Sequence, residues 1–232
     1  MTSITEHHFY GRRRNRGLHQ QRQQAFDFVS EKYLVTVPEQ EKDFAPVDFF
    51  GDFKPQDLWL EIGFGYGEHL VNQATLNPSI GLLGIEPFIT GIAVASLAIQ
   101  ECDLKNIRIY PDDAMHLLTK FKPQSFSKIF LFFPDPWPKV RHHKRRFIQP
   151  ETVAILAQLL KPNGMLHLAT DIPDLADWMI MHVMDSGLFN WTAERQDDWL
   201  SPPKDWVTTK YQSKAIAEGR TSYYMDFVKN AA

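Results

Sequence analysis

Cysteine is nearly absent from this chain. Cys102 is the only one among 232 residues, so no intrachain disulfide and no cysteine-based zinc site can form, a composition suited to a reducing compartment. Long hydrophobic runs are missing too. No apolar stretch approaches the ~20 residues that cross a bilayer, and the polar, arginine-rich start from Met1 to Gly17 lacks the apolar core of a secretory signal. The expectation is a soluble, cytoplasmic protein with no membrane partner. No internal repeat, low-complexity tract or interdomain linker is visible. The histidine pairs His7-His8 and His142-His143 have no cluster of acids or cysteines beside them, so no metal is assigned. With 44% hydrophobic residues the chain can bury a substantial core. One domain is expected over residues 25–232, behind a basic arm over residues 1–24 that orders only on its partner.

An excess of positive charge is also lacking, since the formal net charge is −3. The charge is segregated, however. Between His7 and Phe26 stand five arginines and no acid, Arg12, Arg13 and Arg14 among them, and from Pro136 to Gln149 five bases and no acid. Setting these ten charges aside leaves −13 on the rest of the chain. Two basic islands on an acidic body suggest one localised anion-binding face, with nucleic acid repelled elsewhere.

From Leu58 onward, strand-like apolar runs alternate with helix-period segments. The runs are Leu58 to Ile62, Leu82 to Ile85, Ile107 to Tyr110, Ile129 to Phe133 and Met165 to Ala169. Phe189 to Ala193 and Tyr223 to Val228 read as two more strands. Such alternation predicts an α/β fold with a seven-stranded, mostly parallel sheet and helices on both faces. Helices are expected from Glu68 to Leu76, after Pro150, and from Pro173 to near Gly187, while Asp197 to Gly219 is long enough for a functional loop.

The first strand runs into Glu61-Ile62-Gly63-Phe64-Gly65-Tyr66-Gly67, a turn that lets backbone come close to a ligand. A dinucleotide fingerprint would require glycine at position 68, where Glu68 stands. Glu86 ends the second strand and Asp112-Asp113 follows the third. An acid at the first of these places takes ribose hydroxyls, and one at the second can accept from an adenine amino group; both aspartates are candidates. With Glu61, these carboxylates suit a cationic nucleoside, and S-adenosyl-L-methionine fits.

The fourth strand stops at Pro134-Asp135-Pro136-Trp137-Pro138-Lys139. Prolines at alternate positions stiffen this corner and are expected to keep the residues before them extended. A carboxylate beside an indole, followed by Lys139, Arg141, Lys144, Arg145 and Arg146, offers a hydrogen-bonding group, a stacking plane and a phosphate-binding surface. Trp137 either stacks on a base or braces the loop.

Together with Arg145-Arg146, Thr170-Asp171 and Thr209-Lys210-Tyr211, these motifs resemble the bacterial tRNA (guanine-N7)-methyltransferase family, over most of the chain. The resemblance implies a Rossmann-like class I methyltransferase fold. It implies transfer of a methyl group from S-adenosyl-L-methionine to N7 of guanine 46 in the tRNA variable loop, leaving S-adenosyl-L-homocysteine. Glu61, Gly63, Gly65, Glu86, Asp113 and Asp135 would then line the cofactor site, with Asp135 also catalytic. Lys139, Asp171, Thr209, Lys210, Tyr211 and Gln212 would bind substrate. Arg141, His142, His143, Lys144, Arg145 and Arg146, with Arg12, Arg13 and Arg14 of the arm, would touch RNA. One departure is Gln212, where the family carries glutamate. A neutral amide accepts a hydrogen bond without charge assistance. The protein is expected as a monomer or homodimer. Rival readings are an amino-methyltransferase using an Asp-Pro-Pro-aromatic segment, a nucleotide-binding oxidoreductase, and an RNA-binding protein without catalysis.

Overall fold

A computed structural model describes residues 18–37 and 43–231. Within them the strands are β1 Asp57–Ile62, β2 Ile80–Ile85, β3 Ile107–Tyr110, β4 Phe126–Phe132, β5 Leu160–Thr170, β6 Phe189–Trp191 and β7 Tyr223–Lys229. They form one sheet in the order β3-β2-β1-β4-β5-β7-β6. The first five pair in parallel, and β7 lies antiparallel between β5 and β6. The order reverses between β1 and β4, which opens the crevice where α/β sheets of this kind take ligands.

Side-chain alternation divides the core into two layers. Trp59, Leu82, Ile107, Ile109 and Phe130 face helices α1 (Gln20–Lys32), α2 (Glu68–Leu76) and α3 (Ile89–Glu101). Leu58, Leu60, Ile62, Leu83, Ile129, Leu131 and Leu166 face α4 (Ala114–Leu118), α5 (Pro150–Leu159) and α6 (Pro173–Asp185). Both faces are therefore covered, and the strands are apolar on both sides as a central parallel sheet requires. Pro150 and Pro173 open α5 and α6, where the missing N–H costs nothing.

Several expected boundaries move. β4 begins at Phe126 and ends at Phe132, because Phe133 turns to φ +49°. β5 begins five residues before Met165, since Leu160 pairs with Phe126 across an irregularity that the polar stretch Lys161-Pro162-Asn163-Gly164 conceals in the sequence. α1 starts at Gln20, so residues 20–24 of the expected arm are helical; Arg12, Arg13 and Arg14 lie outside the described residues. The expected loop from Asp197 to Gly219 contains two short helices, α7 (Asp197–Leu200) and α8 (Lys210–Ala217). Thr209 caps α8 by accepting from the Gln212 amide, at 3.2 Å. Among the described residues, no helix is long and apolar enough to cross a membrane.

Candidate active site

The glycine turn after β1 is held by its own backbone. Gly63, Gly65 and Gly67 have φ of +71°, +59° and +84°, a region other residues enter only under strain. Their three amides are all engaged inside the protein. Gly63 N donates to Ile85 O (2.7 Å), Gly65 N to Glu86 Oε2 (2.7 Å) and Gly67 N to Phe64 O (2.9 Å). The turn is thus not a phosphate cradle. A Cβ at Gly63 would meet nothing within 4 Å, so open space lies beside that residue for a ligand.

Glu86 ties this turn to β2. Its second oxygen accepts from Phe88 N at 2.9 Å, and the side chain is buried. Burial pushes its pKa up to about 7, and the negative charges of Asp135 and Glu61 push in the same direction, against the pull of the two backbone amides. Glu61, also buried, accepts from His69 Nδ1 at 2.8 Å. His69 sits in the first turns of α2 between Phe130, Phe132 and Trp206. Glu86 feels the negative charge of both Glu61 and Asp135, and a grouping of acids of this kind suits a cationic ligand such as a sulfonium nucleoside.

Asp113 is buried and caps α4 by accepting from Met115 N at 2.9 Å, while Asp112 is half-buried and accepts from Asp113 N at 2.8 Å. Both stand at the carboxyl end of β3.

Across the switch point, the corner after β4 carries Asp135 to the surface. Asp135 is exposed, and its charge is felt by both Glu86 and Tyr211. The prolines do not keep their neighbours extended. Phe133 and Trp137 adopt φ of +49° and +42°, in the left-handed region. Trp137 is bracketed by Arg145, whose guanidinium lies 4.9 Å from the ring centroid, and by His142 edge-on at 5.8 Å. Partial burial lowers the pKa of His142, and the neighbouring Arg145, Arg141, Lys139 and Lys144 lower it further.

The basic stretch forms a short 3-10 helix, Val140–Arg145. Lys139, Arg141 and Lys144 are exposed on it; His142, His143 and Arg145 are partly covered. Arg146 departs from the expectation of an RNA contact. Its side chain is 1% exposed, because Pro136 O and Asp174 draw the guanidinium inward.

α8 brings the later motif onto the glycine turn. A Cβ at Gly65 would lie 3.0 Å from Tyr211 Cε2, and Lys210 Nζ is 4.1 Å above the Tyr66 ring. Tyr211 is half-exposed, and burial together with Glu86, Tyr66, Asp135 and Glu68 raises its pKa. Gln212 points inward instead: Oε1 accepts from Trp206 Nε1 at 2.6 Å and Nε2 donates to the Tyr224 hydroxyl. Asp171 accepts from Arg220 Nε at 2.6 Å. The structure therefore brings Glu61, Gly63, Gly65, Glu86, Asp135, Lys210 and Tyr211 to one rim, and leaves Thr209, Gln212 and Asp171 bonded within the protein.

Sequence reading missed His69 and Trp206. His69 follows Glu61 by eight residues, on the helix that the glycine turn starts, so its return to the strand end was within reach of a geometric argument. Trp206 gave no local signal. A cavity of about 70 Å³ lies between α2, β4, β5 and the Asp205-Trp206 segment. None of its lining residues is among the expected site residues, and it is far too small for a nucleoside.

A family model described as "Putative methyltransferase" matches residues 55–225. A tRNA (guanine-N(7)-)-methyltransferase of Azorhizobium caulinodans is 42% identical over 233 residues, covering 98% of each chain. One of Ruegeria pomeroyi is 46% identical over 182 residues, 78% of this chain and 76% of its own. Among solved structures, the 16S rRNA methyltransferase KamB superposes with a TM-score of 0.61 at 14% identity, over 85% of this chain and 99% of that one, which shows the class I methyltransferase fold. On fold, site and sequence together, this chain is a methyltransferase and belongs to the tRNA (guanine-N(7)-)-methyltransferase family.

Proposed function

We propose that this protein transfers a methyl group from S-adenosyl-L-methionine to N7 of a guanine in tRNA, guanine 46 of the variable loop, in the cytoplasm. The observation that carries this reading is an exposed Asp135 at the end of β4, next to the switch point, with Tyr211 of α8 lying against Gly65 of the glycine turn and an exposed Lys139, Arg141 and Lys144 following in the chain. When bound, the cofactor supplies an activated methyl group on a sulfonium. Glu61 and Glu86 would hold its amino and ribose groups, and Asp112 or Asp113 would serve its adenine. Gly63 leaves room for it.

Guanine N7 already has a lone pair, so no side chain need remove a proton before attack. The task of the protein is to position the base and to answer charge. Asp135 does both, by hydrogen bonding to the base and by stabilising the positive charge that moves onto the purine as the methyl transfers. Trp137, clamped by Arg145 and His142, acts as a brace for that corner. Lys139, Lys210 and Tyr211 form the substrate side of the site, on a frame made by Asp171, Thr209 and Gln212. Arg141, His142, His143, Lys144 and Arg145 meet phosphates, joined by Arg12, Arg13 and Arg14.

Asp135→Ala is the test. Methyl transfer to tRNA, followed by nucleoside mass spectrometry, should fall below about one part in a hundred of the parent rate, since a lost transition-state partner costs roughly 10²-fold or more. Binding of tRNA should stay within about twofold. A variant that methylates normally removes Asp135 from catalysis.

A further inference from the structure

We infer that Arg146 is a positioning residue that holds the Asp135 corner in its working shape from beneath, rather than a contact for RNA. The inference rests on the proposed methyl transfer. Arg146 Nε donates to Pro136 O at 3.0 Å, the carbonyl between Asp135 and Trp137. A terminal nitrogen, NH2, pairs with Asp174 in the first turn of α6. The guanidinium plane lies 4.9 Å from the centre of the Trp178 ring on the same helix. Trp178 is itself fixed, its Nε1 donating to Ile148 O at 2.7 Å and its ring stacking on His182 at 4.0 Å.

Burying a guanidinium is costly, and a charge kept in such a place requires partners of good geometry. Arg146 meets that condition only in part, because NH1 is buried without a hydrogen-bond partner among the described residues. The arrangement therefore does not look optimised for stability alone. What it secures is a backbone that is otherwise strained: Phe133 and Trp137, on either side of the held carbonyl, both have positive φ. Arg146 thereby links Pro136 O, next to Asp135 in the chain, to Asp174 on α6. Arg145 grips the other side of the same corner, over the Trp137 ring. Two adjacent arginines thus differ in task, and burial distinguishes them.

Lysine cannot reproduce this fork. Its single ammonium cannot serve the Pro136 carbonyl, the Asp174 carboxylate and the Trp178 face in one plane. The experiment uses the full chain with bulk tRNA and S-adenosyl-L-methionine, in the parent, Arg146→Lys, Arg146→Gln and Asp174→Asn. Asp174 is two-thirds exposed, so its variant loosens the brace without disturbing the core. Expected for Arg146→Lys and Arg146→Gln is a kcat lower by roughly tenfold to a hundredfold, as displacement of a reacting group by about 1 Å would produce. A loss of several-fold is expected for Asp174→Asn, and the cofactor KM stays within about twofold in every variant. The salt dependence of tRNA affinity should keep the parent slope in Arg146→Gln, whereas a lost phosphate contact would lower it by about 0.7 to 0.9. Should the Arg146 variants fail to fold, Asp174→Asn decides by the same kcat criterion. An unchanged kcat in the folded variants, or a reduced slope in Arg146→Gln, overturns the inference while leaving the proposed function intact. A parent protein that forms no N7-methylguanosine overturns both.

Discussion

Glu86 is a carboxylate that the fold makes hard to ionise. Its burial, reinforced by Asp135 and Glu61, lifts the pKa from 4.5 to about 7. Below about pH 4.5 the group is protonated folded or unfolded, and it has no effect on stability. Between that pH and about 7 the unfolded chain loses the proton first, so folded stability falls as pH rises; above 7 the full penalty stands. Its size is on the order of 3 kcal/mol at most. Glu86→Gln should remove this slope. Denaturation midpoints at pH 5 and pH 8 without cofactor would test it, the variant gaining more on the parent at pH 8 than at pH 5. If the two proteins lose stability in parallel, Glu86 is not the group responsible. A cationic ligand works the other way, favouring the ionised carboxylate and drawing a proton off as it binds.

At the scale of elements, the decisive packing is that of α3 against the glycine turn. A Cβ at Gly91 would lie 2.2 Å from Gly65 O, a backbone atom that cannot step aside alone. Gly91→Ala should therefore displace the turn, weaken cofactor binding by roughly tenfold or more and cost about 1–3 kcal/mol of stability. Calorimetric titration with S-adenosyl-L-homocysteine checks the first effect, and parent-like affinity would show that the turn tolerates the shift. The alternation of strands and helices was readable because period and length separate the two kinds of segment, and each glycine turn or opening proline marks a boundary. The corner after β4 was readable only in its residues. Proline rules argued for extended neighbours, yet Phe133 and Trp137 are left-handed, at a corner whose Pro136 O is bonded by Arg146 from ten residues on. Arg146 was misread for a related reason. A basic run tells how much charge is present; which side chain turns inward depends on Asp174, 28 residues away in sequence. Gln212, expected to face a guanine, turns inward to Trp206 and Tyr224, neither of which carries a motif.

Along the chain as a whole, positive charge is concentrated in two stretches. The two basic islands contribute ten positive charges against −13 on the remainder. Lys139, Arg141 and Lys144 stand exposed in the stretch that follows Asp135, and on the proposed reading they would draw phosphate toward the same rim. Arg141→Ala and Lys144→Ala should each reduce the slope of log affinity against log salt by about 0.7 to 0.9, with kcat at saturating tRNA nearly unchanged. Slopes equal to that of the parent would place the tRNA on another face. Methylation of a guanine nitrogen is proposed for the rim that joins Glu61, Glu86 and Asp135. It is tested most directly by incubating the protein with labelled S-adenosyl-L-methionine and bulk tRNA, and locating the label by nucleoside mass spectrometry. Label in N7-methylguanosine, absent when Asp135→Ala replaces the parent, is the expected result; label on any other atom, or equal label from the variant, would contradict the claim.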